Sequence, residues 1–474
     1  MRWFLSILVS LTMVACGGGG SGGGGVSSTP ANGNNSSAGS GVAAVSSLSS
    51  AATAVSWGMA DAARAADIDV AIDRSGMGLV AWSELTNGHY VLKVRRMNGT
   101  DTGVTLSTAG DAAAPHVSVD AAGNALAVWT QYSNARHTLW ASHYSAASNL
   151  WDAPRMISSA SAVASTLKPD LAVDQAGNAI AVWQQGDGRV NHFDAWVAQY
   201  NAGTASWSAP AMLSDGINSA HCLSVALNAS GQGLVAWVQE RGDGTSIATP
   251  PADIWVRTVS TGAAWGAATL VNRSAGQVNT VYVYGQIGLS VNAKGAAAVL
   301  WSQRLLPSLP MVVDAAMYSP AQGWQDAVSI ALVTKEDCHE PAVALDDAGN
   351  AIAVWQQQTD YGSYGASNRY VAGVGWSTAG HFVDSKLGDT LSPSLAMDGA
   401  GNATVVWYRW SGTNAIELMI NRFTPDLGWA DPKVFMPVGT DGAMTRSLPT
   451  VVSNAVGQTL VVWGNKLSAV ASWL

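Results

Sequence analysis

Charge is scarce in this chain. Asp, Glu, Lys and Arg together make up 12% of 474 residues, and the formal net charge is −9. No run of Lys and Arg occurs, and no basic stripe studded with aromatics, so the electrostatic footprint of a nucleic-acid binder is missing. Cysteine is nearly absent: of three, Cys222 and Cys338 alone lie beyond residue 16. Two thiols do not make a disulfide scaffold, although such a pair outside the cytosol can bridge. Past the first fifteen residues no apolar run reaches the roughly 18 residues of a membrane span. No cofactor fingerprint is found, and no cofactor is expected.

What is present begins with an export signal. Met1–Ala15, MRWFLSILVSLTMVA, carries one Arg and then an apolar run too short to cross a bilayer. The segment MVAC before Gly17 resembles a bacterial lipobox. That resemblance implies cleavage before Cys16, lipidation of its thiol and new amino terminus, and membrane attachment. Each buried methylene contributes roughly 0.8 kcal/mol, so several acyl chains anchor stably. Gly17 is not the Asp that often marks inner-membrane retention. The implied location is the outer membrane of a bacterial cell envelope, facing the periplasm or the cell surface. Residues 16–51 are rich in Gly and Ser with almost no large apolar side chain. They read as a flexible tether with a reach on the order of 30 Å. Residues 52–474 remain for a folded body, expected to be a monomer.

That body is written in one phrase used eight times. The segment DQAGNAIAVWQQ from Asp174 returns almost unchanged as DDAGNAIAVWQQ from Asp346. Related copies start at Asp73, Asp120, Asn228, Asn292, Asp398 and Asn454. Gly falls three residues after the Asp or Asn, and Trp six after the Gly, at 82, 129, 183, 237, 301, 355, 407 and 463. The mean period is about 54 residues. Each copy reads as a hairpin: an apolar strand, a turn ending in left-handed Gly, and a second apolar strand. Near-continuous apolar strands predict burial on both faces. A third, alternating strand follows, as in FDAWVAQY (Phe193 to Tyr200), and a fourth begins at a second Trp such as Trp151, Trp207, Trp265, Trp324, Trp376 or Trp429.

Four antiparallel strands repeated eight times predict an all-β fold, a single eight-bladed β-propeller. The last copy has room for three strands, and AVSWGMA (Ala54 to Ala60) stands unpaired ahead of the first hairpin. It is expected to complete the last blade and close the ring. Two smaller propellers, or an open array, are the alternatives.

PDLAVDQAGNAIAVW (Pro169 to Trp183) resembles the NHL-type propeller repeat, with Pro ahead of an apolar strand and D-x-x-G-N at the turn. It departs by having Trp where that family tends to have Asp, and by a longer period. The Asp box of sialidases also sets Asp, Gly and Trp near a blade hairpin, with tighter spacing. These resemblances imply a propeller and fix no activity.

Repetition also directs the search for chemistry. A catalytic group is needed once, so residues repeated eight times are architectural. Function is expected where symmetry breaks, in the loops leading into each first strand and those following each hairpin Trp, which should share one face. Binding candidates at the channel mouth are His116, Lys168, Asp170, His221, His339, Glu340 and Arg446. His221 and His339 occupy one repeat position, and each adjoins a Cys. A Cys222–Cys338 disulfide across that mouth is one reading; ordinary polar loop residues are another. The ligand types suit zinc, but the spacing matches no known signature, and no metal is assigned. GDGR (Gly186 to Arg189) reads as a turn, far short of a calcium loop. No catalytic residue is assigned. The expected function is a lipid-anchored binding or scaffolding module for a protein or glycan. The rival is a glycan-active enzyme, sialidase-like or polysaccharide-lyase-like, with its site at the channel mouth.

Overall fold

A computed structural model describes residues 55–56 and 65–474, except 98–102, 108–109, 160–166, 190–191, 242–250, 273–281, 305–309, 332–336, 360–361, 385–388, 411–415, 440–447 and 465–468. Among the described residues every regular element is a β-strand. The strands form eight separate antiparallel sheets, called sheets 1 to 8 in the order of their hairpins. Their first strands are Ala65–Ile72, Asp111–Val119, Leu167–Val173, Ala220–Leu227, Tyr282–Val291, Cys338–Leu345, Asp389–Met397 and Thr450–Ser453.

The hairpin turn explains the repeated phrase. In sheet 3 the Asp174 carboxylate accepts the N–H groups of Ala176 and Asn178, both at 2.9 Å, on one oxygen. Its other oxygen accepts the Asn178 side-chain amide at 3.0 Å. Asn178 Oδ1 in turn accepts Ala202 N–H at 3.1 Å, tying the turn to the end of the third strand. Gly177 closes the turn at φ +84°, a conformation that penalises any Cβ.

The strand after the turn is buried from both sides. Ala179 to Trp183 are all 0% exposed. Ala179, Ala181 and Trp183 pack toward sheet 2, while Ile180 and Val182 pack toward sheet 4. A period of two thus splits one apolar run between two cores, which is why the sequence shows no polar alternation. A buried indole must still place its N–H. Trp183 Nε1 donates to Gln185 Oε1 two residues along the same face, at 3.1 Å. The same bond joins Trp129 to Gln131, Trp237 to Gln239, Trp301 to Gln303 and Trp355 to Gln357.

The second Trp set packs against the third strand. Tyr144–Trp151, Tyr200–Trp207, Tyr318–Trp324, Tyr370–Trp376 and Phe423–Trp429 stack tilted or edge-on, with centroids 5.2–5.5 Å apart. The fourth strand is less regular than the sequence suggests. In sheet 2 it is two short pieces, Leu150–Trp151 and Arg155–Met156, both paired with Arg136–Ser145. Pro154 sits between them and has no N–H for the ladder, yet sheets 5 and 6 break at the same place without a proline, between Gly323–Trp324 and Val328–Ser329 and between Gly375–Trp376 and His381–Phe382.

Apolar cores lie between successive sheets. Sheets 1 and 2 share Leu79, Ala81, Ala127 and Trp129; sheets 5 and 6 share Leu300, Val313, Ala353 and Trp355. Another cluster joins Val452, Leu460 and Val462 of sheet 8 to Val70, Val80 and Trp82 of sheet 1. Asn454 Nδ2 donates to Asp73 O at 3.0 Å across the same junction. Sheet 8 takes its outer strand from the other end of the chain: Val55 pairs with Ala471 and Ser56 with Val470. Trp57, expected in that strand, lies outside the described residues, as do the signal segment and tether, Cys16 included.

Candidate functional site

Seven of the eight first strands carry an irregularity just before the repeat becomes regular; the described part of sheet 8's first strand pairs without one. Register shifts fall between Ala113 and His116, Leu167 and Asp170, His221 and Ser224, His339 and Ala342, and Leu391 and Ser394. One repeat position, six before the turn Asp or Asn, is left-handed in five sheets: Asp67 (φ 48°), Ala114 (47°), Cys222 (54°), Glu340 (52°) and Ser392 (47°). None is Gly, so each stores backbone strain of about 1–3 kcal/mol. Such bulges bend a strand and re-aim its side chains.

The residue that follows the bulge, four before the turn, faces the neighbouring first strands. In sheets 1, 2 and 3 it is Asp69, His116 and Asp170; in sheets 4 to 8 it is Ser224, Gly288, Ala342, Ser394 and Thr450. The three ionisable side chains form a continuous run. His116 Nδ1 lies 3.7 Å from Asp69 Oδ2 and 3.7 Å from Asp170 Oδ1. Backbone groups of the next strand hold the carboxylates in place. Asp69 Oδ2 accepts Val117 N–H at 2.8 Å. Asp170 Oδ2 accepts Val225 N–H at 2.9 Å and the Ser224 hydroxyl at 3.1 Å. Burial raises the Asp69 carboxyl above its ordinary range; His116 and the Val117 and Val70 N–H groups oppose this, and the Asp170 charge adds to it. A half-buried polar strip therefore crosses three successive sheets, in a set of eight positions otherwise occupied by small residues.

His221 belongs to a different group. Its Nδ1 lies 3.2 Å from Cys222 Sγ and its Nε2 3.4 Å from Glu240 Oε1. Burial would lower the imidazole, but hydrogen bonds and charge from Cys222 and Glu240 outweigh it and raise it to about 10. His339 is not its twin in surroundings. Burial lowers His339, against the pull of Asp337 and Glu340 and with the repulsion of Arg304. Arg304 Nη2 holds Asp337 at 2.9 Å, and Glu340 buries Oε2 without a hydrogen-bond partner.

The disulfide is not formed: Cys222 and Cys338 are not bonded to each other. Cys222 packs beside Leu289 between sheets 4 and 5. Cys338 is 0% exposed, packs between sheets 5 and 6, and donates to Gln357 Oε1 at 3.1 Å. The two thiols therefore face different cores, and burial pushes Cys338 up to about 12.

Of the seven candidates, His116 and Asp170 come together, His221 and His339 with Glu340 sit apart from them, and Arg446 lies outside the described residues, as does the Lys168 side chain. Asp69 and Glu240 were missed. Asp69 was legible, since it shares the repeat column of His116 and Asp170; Glu240 comes from the following strand and needed the fold.

No family model matches the chain, and no curated protein matches. Solved structures do. The Dos1 propeller aligns with a TM-score of 0.47 at 9% identity, over 89% of this chain and 95% of that one. A polysaccharide lyase, Ulvanlyase, gives 0.45 at 11% identity, over 74% and 90%. The NanB sialidase from Streptococcus pneumoniae gives 0.38 at 12% identity, over 84% and 82%. Likenesses this remote assign no activity.

Proposed function

We propose that this chain is a lipid-anchored protein of the bacterial envelope, in which one eight-bladed β-propeller with an NHL-like repeat serves as a binding module. The N-terminal strand closes the ring, and Cys16 carries the lipid at the end of a Gly/Ser-rich tether. The bound partner is a protein or glycan held on the face where the first strands begin. One observation carries the reading. The side chains that break the repeat's symmetry, Asp69, His116 and Asp170, stand side by side on three sheets, yet both carboxylates are committed to N–H groups of the next strand. Such a strip is a preorganised polar surface that presents hydrogen-bonding groups at fixed spacing. A glycosidase would instead need two carboxyl groups free to exchange protons or attack.

The test compares residues 52–474 with His116→Ala and Asp170→Asn variants on a glycan array and in pull-downs from envelope extracts. The expected result is a retained ligand whose binding falls at least about 10-fold in both variants, roughly the loss of one charged hydrogen bond. Release of cleaved glycan by the unaltered protein, abolished by His116→Ala, would establish the enzyme instead. In the full chain, Cys16→Ser should move the protein from the membrane to the soluble fraction; unchanged membrane association would exclude the anchor.

A further inference from the structure

A second cluster lies on the loop after the hairpin Trp of sheet 3, where the sequence shows a plain turn, GDGR. Three donor-bearing side chains converge there: Asp187, His192 and Asp194, with one ligand atom from each lying within 4.8 Å of the others. The loop is held by its neighbour, the connection into the first strand of sheet 4. His192 Nε2 lies 3.3 Å from Ile217 O, and Phe193 N–H donates to Ser219 Oγ at 3.2 Å.

The first of these contacts fixes the histidine. A carbonyl oxygen accepts and cannot donate, so Nε2 carries the hydrogen and the neutral ring places its lone pair on Nδ1. That Nδ1 is buried and has no hydrogen-bond partner. It points at Asp187 Oδ2, 3.4 Å away. Asp194, only 2% exposed, is oriented by the Ser214 hydroxyl, which donates to its Oδ1 at 3.1 Å. With the ring neutral, the Nδ1 lone pair and the two carboxylates face one another, an arrangement of acceptors that a cation resolves.

We infer that Asp187, His192 and Asp194 form a binding site for a divalent cation of the zinc class. The ring N–H held by a backbone carbonyl is the usual support of a metal-ligating histidine. Zinc bonds of about 2.0–2.2 Å in tetrahedral geometry separate neighbouring ligand atoms by roughly 3.3–3.5 Å, and the Asp187–His192 distance of 3.4 Å matches that edge. One imidazole among two carboxylates favours zinc over magnesium or calcium, which take oxygen ligands. Three protein ligands leave a fourth position for water or a ligand. Arg189 now pairs with Asp187 and donates to Gly216 O at 3.0 Å. Its guanidinium supplies part of the missing positive charge and must swing aside as the metal enters. Asp215 is not a ligand, because Ile217 N–H, Asn218 N–H and the Asn218 amide occupy it.

The test loads the chelator-stripped full chain with zinc, dialyses it, and counts bound metal by mass spectrometry, with calorimetry for affinity. About one zinc per chain is expected, with affinity reduced at least about 100-fold by His192→Ala and by Asp187→Ala, and raised or unchanged by Arg189→Ala. Asp194→Asn should behave as His192→Ala does; if it fails to fold, the two more exposed positions still decide. Retention of less than about a tenth of an equivalent overturns the inference. So does binding that survives His192→Ala, or that is lost instead in His221→Ala, which would place the metal on the Cys222–Glu240 group.

Discussion

Gly177 and Gly349 occupy the same place in two nearly identical phrases, yet their neighbours differ. Both are left-handed, at φ +84° and +88°. A Cβ on Gly177 would lie 2.9 Å from Asp120 Oδ2 of the preceding sheet, whereas one on Gly349 would meet nothing nearer than Ala372 Cβ at 3.7 Å. The backbone cost of a left-handed Ala, about 1 kcal/mol, is common to both. The clash at Gly177 adds about 1–3 kcal/mol. Gly349→Ala should therefore lose about 1 kcal/mol in urea unfolding and Gly177→Ala about 2–4 kcal/mol. Equal losses would mean that the contact between successive turns is looser than the structure has it. Side-chain identity at the turn also decides how sheets join. Where the turn residue is Asn, its amide donates to the next turn's backbone, as Asn292 does to Asp346 O at 3.0 Å. Where it is Asp, its second oxygen instead meets a donor such as Thr261 Oγ1, which reaches Asp174 at 2.8 Å.

Within a sheet, the second strand's Trp is constant, Gln stands two residues after it in sheets 2 to 6, and the third strand supplies further variation. Sheet 5 places Asp314 opposite Trp301, with Gln303 donating to one carboxylate oxygen and the other oxygen buried without a hydrogen-bond partner. Burial pushes Asp314 up to about 6, against the pull of Ser329. An acid whose folded value lies above its unfolded one binds more protons when folded. Its contribution to stability is therefore largest below the unfolded value of about 3.9 and falls as pH rises toward about 6. Two pKa units correspond to about 3 kcal/mol at most. Urea unfolding of the unaltered protein and of Asp314→Asn should diverge between pH 4 and pH 7, the variant gaining relative stability as pH rises. A difference that is flat with pH would show that Asp314 is solvated. Sheet 7 answers the same problem differently: Arg409 stands in place of Gln, Trp407 Nε1 donates to Asp384 at 3.1 Å, and Arg409 pairs with both Asp384 and Glu417.

At the scale of the molecule, the question is what fastens sheet 8 to sheet 1. Core contacts and the Asn454–Asp73 bond do so from one side; the short strand Val55–Ser56 adds backbone pairing on the outer edge. Two lost backbone bonds at about 1 kcal/mol each predict that a chain starting at residue 62 unfolds about 2 kcal/mol more easily. An unchanged unfolding midpoint would mean that the strand is dispensable and that the core alone holds the junction.

Much of this was written in the chain itself. The eight phrases, their turns and their doubly buried strands follow from local rules, because a turn needs its Gly and Asp wherever it stands. Repetition also separated architecture from candidates. The Trp–Gln bond follows from period-two strand geometry once the strand is in place, but it is the structure, not the sequence, that shows it. The site is another matter. Asp69, His116 and Asp170 touch because bulges in three strands re-aim one repeat column, and His221 and His339, alike in standing seven residues before the turn, end in opposite electrostatic surroundings, the first raised by Cys222 and Glu240 and the second lowered by burial. Cys222 and Cys338 fail to meet because each turns into its own core. Asp187, His192 and Asp194 become a cluster only when the next sheet's loop holds the His192 ring. Sequence periodicity determined the strands, since each is a local solution to burying apolar side chains; tertiary packing alone decided which polar side chains converge, since that depends on the loops and neighbours of other sheets.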